Sequence, residues 1–190
     1  MKEHKAKLYV LTGPSGVGKG TVLKKFFEKN KGDIIYSISA TTRAPRAGEV
    51  DGVNYFFISK EEFEKEIKQN NFLEWAQYSG NYYGTKRDFV LNSLNKGVDV
   101  LLEIEVQGAK EVMKQYPECV SVFIIPPNME ELEKRLRGRK TECEEAILKR
   151  LEVVKSELSE AKNYKYTIVN DKVDKAFKEL DEIYQKERML

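Results

Sequence analysis

Histidine is almost missing from this chain. His4 is the single one in 190 residues, so catalysis through imidazole and a histidine-held metal are not expected. Cysteine is nearly as scarce: Cys119 and Cys143 are too few for a disulfide framework or a thiolate metal cluster. Cys119 opens the apolar run CVSVFII at 119–125 and reads as a buried core thiol. No apolar run approaches the roughly 20 residues that cross a bilayer. The basic residues of 1–7 are followed by an apolar stretch too short for an export signal, so a cytoplasmic protein with no membrane partner is expected. Neither sign of charge is in excess: 33 Lys and Arg against 31 Asp and Glu leave +2, which excludes an electrostatic nucleic-acid coat. Repeats, low-complexity tracts and Pro/Gly/Ser-rich linkers are absent too, so one domain is expected over 1–190.

What remains for chemistry is Lys, Arg, Asp, Glu, hydroxyls and backbone. The net charge hides an uneven distribution: +5 over residues 1–37, 0 over 38–96, −4 over 97–130, +2 over 131–165 and −1 over 166–190. Arginine is the more selective signal. Of eight, six (43, 46, 135, 137, 139 and 150) gather in two short polar stretches, 43–46 and 135–150.

Short apolar runs alternate with helical patterns. Strands are expected at 8–12, 98–105, 120–125 and 166–169, and helices at 19–29, 107–115, 129–137 and 174–186. Strand followed by helix, repeated, implies right-handed crossovers and a mainly parallel sheet. Two stretches break the rhythm. Residues 38–96 hold the apolar runs 53–58 and 72–78 around a helix opened by a capping box, Ser59 with Glu62. That is a small mixed β insertion. Residues 131–164 are polar and Arg-rich, with a second capping box, Thr141 with Glu144. A stripe of Ile147, Leu151, Val154, Leu158 and Ala161 follows on one helix.

Gly13-Pro14-Ser15-Gly16-Val17-Gly18-Lys19-Gly20-Thr21 fits the phosphate-loop pattern G-x-x-x-x-G-K between a strand and a helix. Its glycines let successive N–H groups curl around an anion. Lys19 adds a mobile positive charge, and the helix starting there presents its positive end. The loop argues for a nucleoside triphosphate and for an α/β core of the P-loop NTPase type, in three layers. It departs from the general motif at Gly20, which stands where a Mg²⁺-binding hydroxyl is usual, Thr21 coming one place late beside the α-phosphate. Mg²⁺ is then expected to be held largely by phosphate oxygens and water, with no direct protein ligand.

Arg43 and Arg46 flank Pro45 in a rigid turn and can fork onto one phosphate. With the stretch TTRAPRAGEVDGVNYFF at 41–57, FLEWA at 72–76, GNYYGT at 80–85, LEIEVQG at 102–108 and IVND at 168–171, the chain closely resembles guanylate kinase over almost its whole length. That resemblance implies transfer of the γ-phosphoryl group of MgATP to GMP, and also to dGMP, in purine nucleotide metabolism. It places the GMP phosphate against Arg43, Arg46, Tyr55 and Tyr83. It gives Glu74 the guanine N1–H and N2–H₂, with Ser39 and Thr85 at the base edge. Tyr82 beside Tyr83 reads better as a core aromatic. Glu105 matches a position where relatives often carry Asp; a direct or water-mediated GMP contact and a structural pairing with a lysine both remain open, as does the division of roles with Glu103. Arg139 and Arg150, with Arg135 from the preceding helix, would reach the transferring phosphoryl group, and Arg137 would face solvent. Asn170 falls near the adenine edge or closes the core. The regions implied are a core of 1–37, 97–130 and 165–190, a GMP-binding region of 38–96 and a helical lid of 131–164. The expected assembly is a monomer or homodimer. The alternative is a catalytically inactive guanylate-kinase-like module that binds phosphopeptides.

Overall fold

The computed structural model describes residues 5–78, 80–138 and 144–190. In chain order the elements are β1 (Leu8–Thr12), α1 (Lys19–Lys29), β2 (Ile34–Tyr36), β3 (Ala40–Thr41), β4 (Phe56–Phe57), α2 (Lys60–Lys68), β5 (Phe72–Tyr78) and β6 (Asn81–Lys86). There follow α3 (Arg87–Asn95), β7 (Asp99–Glu103), α4 (Val106–Gln115), β8 (Val120–Ile125), α5 (Met129–Gly138), α6 (Glu144–Leu158), a 3₁₀ turn (Ala161–Asn163), β9 (Tyr166–Val169) and α7 (Val173–Arg188).

Strand β1 is buried along its whole length and its residues divide by parity. Tyr9 and Leu11 pack with Val22, Leu23 and Phe26 of α1 and with Ala176, Leu180 and Tyr184 of α7. Leu8 and Val10 pack on the opposite face with Val90 of α3 and Ala109 and Val112 of α4. Helices therefore cover both faces of the sheet, the three-layer α/β arrangement expected from the alternating pattern. The sheet runs β2-β7-β1-β8-β9 and every pairing is parallel. The strand order reverses beside β1, and the loop at the carboxyl end of β1 opens into the crevice that such a reversal creates.

A second sheet, β4-β3-β6-β5, is mixed: β3 and β4 are parallel, the other pairs antiparallel. Phe63 of α2 stacks on Phe72 and on Tyr82 at centroid distances of 4.3 and 5.2 Å, so Tyr82 is the core aromatic anticipated. The serine of the first capping box accepts the Glu62 N–H at 3.1 Å. The apolar run 53–58 yields only a two-residue strand. Asp51 and Asn54 draw the chain into a loop there, accepting the N–H groups of Phe57 (2.8 Å) and Val50 (2.9 Å).

Leu132 and Leu136 of α5 pack with Ile147 and Val154 of α6, with Leu151 and Leu158 beside them. Ala161 leaves the expected stripe and joins the main core instead. Helix α6 ends at Leu158, where the hydroxyls of Ser156 and Ser159 bond to the carbonyls of Val153 and Ser156. Thr141 of the second capping box, and Cys143, lie outside the described residues. Cys119 is buried, and burial pushes its thiol up to about 11. No helix among the described residues is long and apolar enough to cross a membrane.

Candidate active site

The loop after β1 is shaped by what surrounds it. Gly16 and Gly18 have φ of +87° and +93°, and a Cβ at either would lie 2.7 Å from a neighbour, Leu136 of α5 and the Asn170 amide respectively. Glycine is required at both on conformation and on space. Asn170 is 2% exposed and its amide donates to the Val17 carbonyl at 2.7 Å. Its side chain therefore fastens the phosphate loop to the end of β9. Lys19 donates to the carbonyls of Gly13 (2.5 Å) and Pro14 (3.3 Å). At Gly20 a Cβ would meet nothing within 4 Å, so lack of room is not why a hydroxyl is missing there. Gly20 and Thr21 are both exposed on the first turn of α1.

From this loop a cavity of about 550 Å³ runs toward the second sheet. Ser15, Lys19 and Arg150 line one end, and Ser39, Arg43, Arg46, Tyr55, Glu74 and Tyr83 the other, with Glu103 and Glu105 between. Residues drawn from β5, β6, β7, α1 and α6 and from the loops after β1, β2, β3 and β7 thus converge on one cavity. Arg150 donates to the Ser15 hydroxyl at 3.3 Å, tying α6 to the phosphate loop.

Arg43 lies over the rings of Tyr55 and Phe57 at 5.4 and 5.8 Å. Its guanidinium donates to Glu49 at 2.9 Å, and the second carboxylate oxygen of Glu49 accepts the Arg46 N–H at 2.7 Å. Those two bonds hold the Glu49 carboxyl below its ordinary range. Glu49 was not among the sequence candidates, although a carboxylate three residues after the second arginine of R-x-P-R is the signal. It fixes the turn that presents both arginines. Glu49→Ala is expected to raise KM for GMP about tenfold with a smaller change in kcat. Glu49→Gln, which keeps an acceptor for the Arg46 N–H, should fall between. Steady-state kinetics with GMP varied at saturating ATP checks both.

Glu74 is 7% exposed. Leu73 enters the main core while its neighbour Glu74 faces the cavity, as alternation along a strand requires, and the β5–β6 ladder shifts register between Phe72 and Glu74. Thr85 donates to Glu74 at 2.6 Å. Thr85 is fully buried and stands behind Glu74, not on the cavity wall as the resemblance implied. Burial foremost, with the charge of Glu105 adding, pushes the Glu74 carboxyl up to about 7 against the Thr85 hydrogen bonds. Tyr36, also missed by the sequence reading, lines the cavity and donates to Glu103 at 3.2 Å. Burial raises the Glu103 carboxyl while the Lys19 charge opposes it. Glu105 is exposed to the cavity at the N-cap of α4, and no lysine pairs with it among the described residues.

One lid candidate is placed otherwise. Arg135 donates to the Asn170 carbonyl at 3.1 Å and pairs with Glu131 at 3.1 Å, and it is not on the cavity wall. Arg139 lies outside the described residues. Arg137 joins Glu133 on α5 to Glu144 on α6 at the solvent side, as anticipated.

Comparison with known proteins gives a consistent picture. The family model described as guanylate kinase matches residues 5–187. A guanylate kinase of Prochlorococcus marinus is 50% identical over 174 residues, covering 92% of this chain and 93% of its own. One of Oceanobacillus iheyensis is 50% identical over 189 residues, covering 100% and 91%. The crystal structure of guanylate kinase from Anaplasma phagocytophilum superposes with a TM-score of 0.84 at 35% identity, covering 100% of this chain and 90% of that one.

Proposed function

The chain belongs to the guanylate kinase family and phosphorylates GMP at the expense of ATP, and from that premise we propose how its own residues divide the work. The observation that carries the reading is one continuous cavity lined by Lys19, by the Arg43–Arg46 turn and by Glu74. A triphosphate on the loop and a monophosphate on the arginines would then have their reacting phosphates facing each other.

No covalent intermediate on the protein is needed, because a phosphate oxygen of GMP is the nucleophile. The work is alignment and charge compensation. The loop N–H groups and the positive end of α1 receive the β and γ phosphates of ATP, and Lys19 neutralises charge that grows during transfer. Arg43 and Arg46, with the hydroxyls of Tyr55 and Tyr83, hold the GMP phosphate in line. Arg150 reaches the transferring group from α6, and Arg139 is given the same role. Arg135 acts from behind, through the Asn170 carbonyl that it holds. Glu74 selects guanine, because one carboxylate accepts two adjacent N–H donors and would repel the unprotonated N1 of adenine. Ser39 faces the same cavity and serves the base edge. The same contacts leave the ribose 2′ position unread, so dGMP is a second acceptor.

Mg²⁺ fits this donor set in a limited way. Among the described residues no group of three or more His, Cys, Asp or Glu is arranged to hold a metal. Two carboxylates, Glu103 and Glu105, do line the cavity and would hold the ion through its waters, phosphates being the direct ligands. When bound, the ion offsets phosphate charge. Residues 38–96 form the acceptor region and 131–164 the lid over a core of 1–37, 97–130 and 165–190. The setting we assign is cytoplasmic, in purine nucleotide metabolism, as a monomer or homodimer without membrane partners, and the near-neutral net charge accords with the lack of a nucleic-acid partner. The inactive, phosphopeptide-binding alternative is not supported: the relatives are named for the enzyme, and Lys19 and Arg150 stand at the cavity.

The test is a coupled assay of ADP release with GMP, dGMP, AMP, CMP and UMP, with and without Mg²⁺. Turnover confined to the guanine acceptors and dependent on the metal is expected. Equal rates with AMP would remove the role given to Glu74.

A further inference from the structure

The Glu74 carboxylate rests against α4 as well as on Thr85. Gly108, the third residue of that helix, has an ordinary negative φ, so its backbone could be adopted by any residue. A glycine there weakens the helix relative to alanine. Space accounts for it. A Cβ at Gly108 would lie 2.3 Å from Glu74 Oε2, 3.0 Å from its Cδ and 3.6 Å from its Cγ, and these are its three nearest neighbours. The conflict is with one side chain and with no backbone atom. Gly13 is the contrast, since a Cβ there would strike the Ile124 carbonyl of β8 at 2.3 Å.

We propose that Gly108 is a specificity-determining position of the acceptor site: its absent side chain is the seat of the Glu74 carboxylate and so sets where guanine is received. The inference rests on the reading of Glu74 as the group that selects the base. Thr85 and Gly108 locate that carboxylate, the first by its hydroxyl on Oε1 at 2.6 Å and the second by the room it leaves for Oε2. A methyl group at 108 displaces Oε2 by about the difference between 2.3 Å and an ordinary contact. The carboxylate must then swing into the cavity or turn off Thr85. Because the clash is with the end of a flexible side chain, the fold absorbs it. The misplacement falls on the atoms that meet the base.

Gly108→Ala is therefore expected to raise KM for GMP by about tenfold to a hundredfold, to leave KM for ATP unchanged, to narrow the preference for GMP over AMP, and to melt no lower than the parent. A double-mutant cycle with Glu74→Ala decides whether the effect passes through that side chain. With Glu74 truncated, Gly108→Ala should add no further loss. An equal added loss in that background, or an unchanged KM for GMP in the single variant, would overturn the proposal. Should Gly108→Ala fail to fold, the double variant must regain folding, and its failure would likewise sink the idea. Failure of the underlying reading looks different: Glu74→Ala itself would then leave selection for GMP intact.

Discussion

Exchange of Lys19 for alanine is expected to lower kcat by about three orders of magnitude while KM for GMP moves little. Among the described residues the ammonium is bonded to two loop carbonyls and to no other element, so its removal leaves the packing of β1 and α1 untouched. The loop itself is held elsewhere, by Asn170 on Val17 and by Arg135 on the Asn170 carbonyl. What disappears is a positive charge free to follow the phosphates as the bond breaks. Arginine is not expected to replace it, because a longer planar fork cannot enter a loop sized for a point charge. Steady-state kinetics beside a thermal melt checks the claim: the melt should match the parent. A loss of less than tenfold in kcat would move the main charge compensation to the arginines.

The second large effect is at Glu74. Glu74→Gln preserves shape and an acceptor for Thr85, but its amide presents one acceptor and one donor where guanine presents two donors. A drop of about two orders of magnitude in kcat/KM for GMP is expected. The AMP rate should rise relative to GMP, since adenine offers the complementary donor and acceptor. The carboxyl also carries a pH signature. Held near 7 by burial, it is ionised in the free enzyme only above that value. Hence kcat/KM for GMP falls as pH drops through about 7, and this limb is absent in the glutamine variant. The sign for stability is opposite. Between its ordinary 4.5 and about 7 the native state keeps a proton that the unfolded chain releases. The stabilising contribution of the protonated form is thus present at low pH and lost as pH rises through about 7. A pH series of activity and of melting, on both proteins, separates the two.

Much of the fold could be read from residue order. Lys19–Lys29, Val120–Ile125 and Tyr166–Val169 begin and end where their apolar spacing predicts. The strand expected over 98–105 stops at Glu103, because the Glu105 carbonyl turns to accept the Ala109 N–H and so opens α4. Strand β2 and helix α3 gave weaker signals. The first is three residues long, and the second buries only Val90, too little for a period to show.

The phosphate loop, the paired arginines around Pro45 and the three-layer core follow from the sequence alone. In each, residues adjacent along the chain dictate a local backbone shape or a repeating buried face. Only the tertiary structure decided which side chains those elements bring within reach. Thr85 is spent on Glu74 across the β5–β6 ladder, and Gly108 supplies its seat from α4. Glu49 grips Arg43, Asn170 locks the loop, and Arg135 is turned away from the cavity. These depend on strand register, on the bulge at Glu74 and on helix placement. Such long-range geometry leaves no period in the sequence, because it arises when distant segments pack against each other.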